Sequence, residues 1–418
     1  MSGTYQRPPG TKDWWGDDAV RRRWIVEQAR GLFEAAGFGE IVTPTFEDTR
    51  VFARTSGEES DVVKKEMYTF IDRGDRSLTL RPEGTAGVIR AYIEDGMSRK
   101  PQPVKLWYLA PMFRYNRVQR GRFREHYQFG VEVVGSEDPA VDAEVIGLQH
   151  RWYRRVGARA VELQLNSIGD PTCRPAYRSL LVAYLERFRS ELSEDSLARL
   201  EINPLRIFDS KDEGDQRIVS GAPRITDHLC EACAEHFASV RAFLDARGVR
   251  YVVTPELVRG LDYYERTAWE WVLPEGGAQA GSISGGGRYD GLAQQIGGDR
   301  VPGVGFGCGT ERVVLALEAA GVEPDPPRVD WFCACEDDEA RPAVHALIDQ
   351  AQARGLYAQA DLAGRSLKGQ LRHGERLGAH VVTVCRAGDG ARGIVRHGGA
   401  EIAFGDVVDY VERSVRNA

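Results

Sequence analysis

Apolar positions between residues 17 and 36 fall at helical spacing, with Val20, Trp24, Ile25, Ala29, Leu32 and Phe33 on one stripe. Gly37 stands where such a helix would stop. IVTPTFEDTRVF (41–52) then reads as extended, with Pro44 against any helix. Two short alternating runs, EMYTFID (66–72) and RSLTLRP (76–82), flank RGD and predict a hairpin. Thr85 opens a helix to about Glu94, and an N-cap role there would need no ligand. VKLWYLAPMFRYN (104–116) and REHYQFGVEVVG (124–135) form a second strand pair, joined by a loop around Gln119 to Arg122. Strands paired through short loops imply an antiparallel sheet rather than a βαβ repeat.

From about Pro171 to Arg250 the pattern turns helical, including DHLCEACAEHFASVRAFLDARG (227–248), and strands return at 251. ELVRGLDYYERTAWEWV (256–272) has the β-branched and aromatic composition of a strand, yet carries Arg259 and Asp262. Strand segments at 263–273 and 280–284, then a glycine-rich run at 284–309, lead into a helix from Glu311 to Ala320. VEPDPPR (322–328) reads as a linker, and beyond it VDWFCACE, ARPAVHALIDQAQARG, LYAQADL, SLKGQLRHGERLG and AHVVTVCR alternate strand and helix. The expected organisation is α+β, with a sheet domain over 1–170 and 251–325, a helical insertion over 171–250 and an α/β domain over 329–418.

A chain of 418 residues predicts two or three domains. Seven cysteines, an odd number spread along the chain, suggest reduced thiols and a cytoplasmic setting rather than disulfide staples. No basic–apolar–small signal pattern opens the chain, and no run of about eighteen apolar residues occurs, so no membrane partner is expected. The net charge of −7, from 55 basic and 62 acidic residues, argues against sequence-blind coating of nucleic acid but leaves room for a local basic surface.

That surface is FRYNRVQRGRFREHYQFGVE, where Arg114, Arg117, Arg120, Arg122 and Arg124 crowd one hairpin. Five guanidiniums repel unless an anion is held among them, and their planar forks suit phosphate oxygens. A solvated hairpin is the plainer alternative. Tyr115, Phe123 and Tyr127, interleaved, could stack on bases. Glu132 sits in the apolar GVEVVG, where a buried carboxylate needs a partner. GFGCGTER (305–312) lays alternate glycines along a strand entering a helix, so a flat ligand could lie against the backbone while Arg312 reaches its charged end. SISGGGRYDGL (282–292) is similarly permissive, and either run could be a packing device. His228, Cys230, Cys233 and His236 have zinc-like spacing, but the helical register would stack Cys230 and Cys233 with Phe237, so no metal held by the protein alone is expected.

Taken together these segments resemble the class II aminoacyl-tRNA synthetases, and within them the bacterial histidyl-tRNA synthetases. PPGTKDWW, GFGEIVTPTFEDTRVFARTSGEESDVVKKEMYTF, FRYNRVQRGRFREHYQFGVE and GVGFGCGTER resemble the opening segment and three motifs of the class, while RGLDYY and SGGGRYDGL are the signatures that select histidine. AGRSLKGQL (363–371) resembles the anticodon-binding domain. The resemblance implies a class II antiparallel sheet, a homodimer, and ligation of L-histidine to tRNA(His) with ATP and Mg²⁺. It implies Arg259 and Arg114 at the α-phosphate, with Gln128 as the third catalytic residue, and Arg122 and Arg312 on ATP. Asn116, where the family usually has Glu, is implied at the adenine amino group.

Histidine is implied to meet Glu83, Thr85 and Gln128 at its α-amino and carboxylate end and Glu132 and Tyr264 at its imidazole nitrogens, with Arg114, Arg259, Tyr263 and Tyr289 also among the residues that bind it. Arg117, Gln119 and Arg124 are implied to meet the acceptor end of the tRNA. Arg259 and Tyr264 are five positions apart, so an unbroken strand would point them to opposite faces. If both line one pocket the chain must bend between them, and Gly260 is the expected place. A rival with the same fold is the synthetase-like regulatory subunit of ATP phosphoribosyltransferase, which tends to lose RGLDYY and the C-terminal domain.

Overall fold

The structure, a computed structural model, describes residues 4–56, 62–274, 281–324, 329–387, 394–397 and 400–416. Two compact units divide at Met1–Pro324 and Asp325–Ala418. The strands of the first unit begin with β1 (Gly39–Glu40), β2 (Phe46–Asp48), β3 (Tyr68–Ile71), β4 (Ser77–Leu80), β5 (Val104–Phe113) and β6 (Glu125–Val134). They continue with β7 (Glu162–Ser167), β8 (Val252–Val253), β9 (Glu265–Val272), β10 (Ser282–Arg288) and β11 (Gly303–Gly309). Eight of them form one sheet in the order β1-β5-β6-β11-β10-β9-β7-β8, and β2-β4-β3 form a small second sheet. The interior of the large sheet is antiparallel, as expected, whereas its outer pairs β1–β5 and β7–β8 are parallel.

Period-two alternation assigns the two faces of the large sheet. Phe129, Val131 and Val133 of β6 and Val304, Phe306 and Cys308 of β11 enter the main core, with helices Gly16–Ala35, Pro139–Arg155, Glu231–Ala246 and Thr310–Ala319 laid over them. Fully burying each large apolar side chain of this kind stabilises by about 1.5–3 kcal/mol. Gln149 bridges polar groups within the core: it donates to Ser284 Oγ (2.6 Å) and accepts from Trp269 and Trp271 (2.9 and 2.8 Å). The opposite face carries Gln128, Gly130 and Glu132 of β6 against Gly309, Gly307 and Gly305 of β11. That face holds the site.

Residues 49–52 depart from the extended reading, because helix Thr49–Ser56 begins inside that run. Asp48 opens it by accepting from the Arg50 backbone (2.9 Å), so a local cap overrides the β-branched composition. The hairpin of β3 and β4 forms across the RGD turn, with Asp75 at φ 55°. Helices at Arg174–Glu186, Glu194–Ile202, Glu213–Ser220 and Glu231–Ala246 fill the stretch between β7 and β8. The last starts four residues later than its periodicity suggests, with Cys230 as its cap.

The second unit has a five-stranded sheet, β13-β12-β14-β15-β16, made of β12 (Trp331–Cys335), β13 (Ala358–Ala360), β14 (Val381–Arg386), β15 (Ile394–His397) and β16 (Ala400–Ala403). β12, β13 and β14 are parallel, matching the alternating pattern, while β15, β16 and helix Val407–Arg416 were not anticipated. Of the proline-rich run 322–328, positions 325–328 lie outside the described residues. No described helix is long and apolar enough to cross a membrane.

Candidate active site

A cavity of about 420 Å³ opens on the glycine-bearing face of the large sheet. Ten of the expected residues line it: Glu83, Thr85, Arg114, Asn116, Arg122, Gln128, Arg259, Tyr263, Tyr264 and Arg312. Glu132 and Tyr289 lie beneath, both buried, with the Tyr289 hydroxyl donating to Glu132 Oε2. Arg117 and Arg124 flank the hairpin tip, where Gln119 and Arg122 close the turn on each other (3.2 and 2.9 Å). Of these, Arg117, Gln119 and Arg124 do not line the cavity.

The alternate glycines act as the packing device that the sequence allowed. A Cβ on Gly307 would meet the Gln128 amide, one on Gly305 the Glu132 carboxylate, one on Gly285 the Arg259 guanidinium and one on Gly287 the Tyr264 ring. The missing side chains are therefore occupied by the protein's own residues, which lie flat across neighbouring strands.

Thr85 is placed differently. Gly84 is the N-cap of helix Thr85–Glu94, and Glu83 caps the helix by accepting from the backbone of Thr85 (2.7 Å) and Ala86 (2.8 Å). Thr85 Oγ1 is thereby free to donate to Glu132 Oε1 at 2.7 Å. Burial pushes the Glu132 carboxyl up to about 8 despite hydrogen bonds from Tyr289 and Thr85, and burial raises Glu83 too.

Arg259 lies with Tyr264 on one cavity, its guanidinium 5.4 Å from the ring centroid. The expected strand through 256–264 is absent: β9 starts only at Glu265, and the chain bends at Gly260 and Leu261. Three residues that matter here escaped the sequence reading. Arg206 donates to the carbonyls of Arg259 (3.1 Å) and Gly260 (3.3 Å), and so fixes the bend. Glu270 accepts from Arg259, and its place between Trp269 and Trp271 in an alternating strand was a usable signal. Glu66 lies beside Asn116, whose amide, oriented to satisfy both groups, donates to it at 2.8 and 3.3 Å. That leaves the Asn116 carbonyl as an acceptor.

Cationic groups crowd the other end. Burial, with Arg122 and Arg114 nearby, lowers Arg312 to about 10, and burial with Arg114 and Arg312 holds His126 at about 3, so that imidazole is neutral at physiological pH. Arg312 donates to the Ser282 carbonyl, and Arg114 to that of Pro82 (2.7 Å). Guanidiniums sharing a partly desolvated cavity favour an anion among them. The expectation of stacked bases is narrowed, since Arg124 already lies 3.7 Å over Tyr115 and Arg22 3.5 Å over Tyr127, leaving Phe123 as the one of the three that lines the cavity. The His-Cys-Cys-His set does not gather: His236 faces Asp142 (3.3 Å) and His228 stacks on Tyr177.

Comparison with known proteins agrees with this geometry. The histidyl-tRNA synthetase family profile matches residues 10–170. A curated histidine–tRNA ligase of Moorella thermoacetica is 48% identical over 97% of this chain and 98% of its own length. One of Rhodococcus erythropolis is 47% identical over 94% and 93%. The crystal structure of apo histidyl-tRNA synthetase from S. aureus superposes with a TM-score of 0.81 at 37% identity, covering 98% of this chain and all of that one. With identity of this level along almost its whole length, and with a cavity that gathers the residues its motifs predict, the chain belongs to the histidyl-tRNA synthetase family.

Proposed function

We infer that the protein is a histidine–tRNA ligase that activates L-histidine with ATP and transfers it to tRNA(His). The observation that carries the mechanism is the convergence of Arg259 and Arg114 on one cavity lined by Tyr264, with the bonded pair Glu132 and Tyr289 buried beneath it. In the first step a histidine carboxylate oxygen attacks the α-phosphorus, the bond to the bridging oxygen breaks, and pyrophosphate leaves. In the second the 3′-hydroxyl of the terminal adenosine attacks the acyl carbon and AMP leaves. Positioning and charge neutralisation carry both steps.

We assign Arg259 and Arg114 to the charge that builds on the α-phosphoryl group, with Gln128 on the histidine carboxylate. Arg312 and Arg122 hold the outer phosphates. The Asn116 carbonyl and the Glu66 carboxylate accept from the adenine amino group. Glu83 keeps acceptor capacity beyond its two capping bonds and, with Thr85, suits the substrate ammonium. Glu132, oriented by Thr85 and Tyr289, accepts from one imidazole nitrogen, while Tyr264, packed against Tyr263, donates to the other. A pocket that hydrogen-bonds a ring rejects apolar isosteres by roughly 10⁴ or more.

Mg²⁺ would enter with ATP and neutralise its outer phosphates. Glu311 fits it: one carboxylate oxygen accepts from Tyr127, and the other is buried with no hydrogen-bond partner among the described residues. Arg117, Gln119 and Arg124 are proposed to meet the acceptor end of the tRNA, residues 171–250 to form the insertion, and the second unit to read the anticodon. A homodimer is supported by the exposed apolar group Val42, Phe46, Phe70 and Ile71 around the small sheet. The cytoplasm is the proposed location, consistent with seven free cysteines.

Histidine-dependent exchange between ATP and labelled pyrophosphate is the deciding experiment. It should proceed with histidine and not with phenylalanine or glutamine, and an inactive wild-type protein would refute the enzyme reading. Light scattering of Phe46→Asp should report monomer if the small sheet forms the subunit interface, and an unchanged mass would remove that assignment.

A further inference from the structure

Four side chains away from the active cavity converge on one point: Asp170, Cys173, Cys230 and Cys233, whose ligating atoms all lie within 4.8 Å of one another. Cys173 Sγ is 3.6 Å from Asp170 Oδ1 and 3.9 Å from Cys233 Sγ, and Cys230 Sγ is 3.8 Å from Asp170 Oδ1. A tetrahedral zinc ion with sulfur at about 2.3 Å and oxygen at about 2.0 Å has ligand edges of about 3.8 Å between sulfurs and about 3.5 Å between sulfur and oxygen. The spacings of 3.6, 3.8 and 3.9 Å lie within a few tenths of an ångström of those edges. They are too long for a disulfide, whose sulfurs are about 2.05 Å apart, and suit one ion in preference to a cluster.

The chain arrangement is that of two knuckles. Asp170 and Cys173 lie in the turn before helix Arg174–Glu186, while Cys230 and Cys233 straddle the start of helix Glu231–Ala246. Asp170, Cys173 and Cys233 are buried and Cys230 is half exposed, which leaves a route for an ion. Outer partners hold the carboxylate: Thr172 N donates to Oδ1 at 2.9 Å, and Arg266 lies 3.7 Å from Oδ2.

We propose that Asp170, Cys173, Cys230 and Cys233 bind a structural zinc ion that pins the base of the helical segment to the sheet. The histidines that made the original spacing suggestive take no part, and Asp170 and Cys173, contributed from more than fifty positions away, replace them. The clamp fixes residues 168–174, where Arg174 donates to the carbonyls of Ile168 (3.0 Å) and Tyr264. Losing the ion would therefore loosen a residue of the cavity wall without removing any group that touches substrate.

The test uses the full chain produced with supplementary zinc and dialysed free of loose metal. Elemental analysis should find one zinc per chain, absent from Cys173→Ala/Cys233→Ala and retained in Cys385→Ala. Cobalt(II) in its place should show thiolate charge-transfer absorption, which Asp170→Cys raises by about a third as three thiolates become four. Those wild-type and Asp170→Cys spectra decide the matter even if the double variant fails to fold. A wild-type protein that takes up neither metal, a cobalt spectrum without thiolate bands, or a Cys173–Cys233 disulfide found by mapping the native protein would each overturn the proposal.

Discussion

Arg206 holds Arg259 by its backbone, donating to the Arg259 carbonyl at 3.1 Å from a turn in the helical segment between β7 and β8. Arg206→Ala should lower the rate of adenylate formation with little change in the KM for histidine, because it frees the bend that aims Arg259. Arg259→Ala should cost more, on the order of ten- to a hundredfold, as expected for a charge-assisted contact made chiefly in the transition state. If the two act through one group, the double variant will resemble Arg259→Ala alone. Additive losses in pyrophosphate exchange would refute the positioning role.

Glu132 ties stability to pH. Its carboxyl is raised to about 8 from an ordinary 4.5, mainly by burial. Below 4.5 both folded and unfolded chains hold the proton. Between 4.5 and 8 only the folded chain does, so this group's contribution to stability falls as pH rises across that window and is lost above 8. Glu132→Gln should therefore melt about 2–4 °C above wild type at pH 9, with the gap closing towards pH 5, while its KM for histidine rises about tenfold or more. A gap that persists at pH 5 would contradict the linkage.

At the nucleotide, Arg312→Ala should raise the KM for ATP and weaken inhibition by pyrophosphate, each by about tenfold or more, and leave histidine affinity near wild type. Glu66→Ala should raise the KM for ATP but not affect inhibition by inorganic pyrophosphate, since that ligand has no adenine. Weakened pyrophosphate inhibition in Glu66→Ala would remove its assignment to the base.

Arg288 is wholly buried, bonded to Asp142, Asp290 (3.1 Å) and the Ser136 carbonyl (2.9 Å). Burial alone would raise Asp142, yet Arg288 and His236 hold it down at about 2. Arg288→Met would strand two carboxylates in the core, and urea unfolding should report a loss of about 3–5 kcal/mol. A loss below about 1 kcal/mol would mean the network adds nothing to stability.

Much of this was legible along the chain. Helix Gly16–Ala35, the β3–β4 and β5–β6 hairpins and the gathering of Arg114, Gln128, Arg259 and Arg312 all follow from periodicity and motif. Contacts between residues distant in sequence were not legible. Arg206 sits in a turn with no distinguishing pattern, and its partner lies 53 positions away. Thr85 reads as a cap from its neighbours alone, and only the fold shows Glu83 taking that task while the threonine turns to Glu132, 47 positions on. The irregular path from Val258 to Tyr264 likewise answers to Arg206 and Arg174, so its strand-like composition misleads.

Gly285 and Gly287 of β10 and Gly305 and Gly307 of β11 act as moulds, each shaped by the functional group lying on it. The placement of Gln128, Glu132, Arg259 and Tyr264 consequently depends on positions that carry no side chain. One methyl at Gly305 would displace the carboxylate proposed to read imidazole and press on the Val131 carbonyl, so the strands themselves would have to part. Attempts to retune the pocket for another amino acid will therefore find these bare positions as unforgiving as the side chains that lie on them.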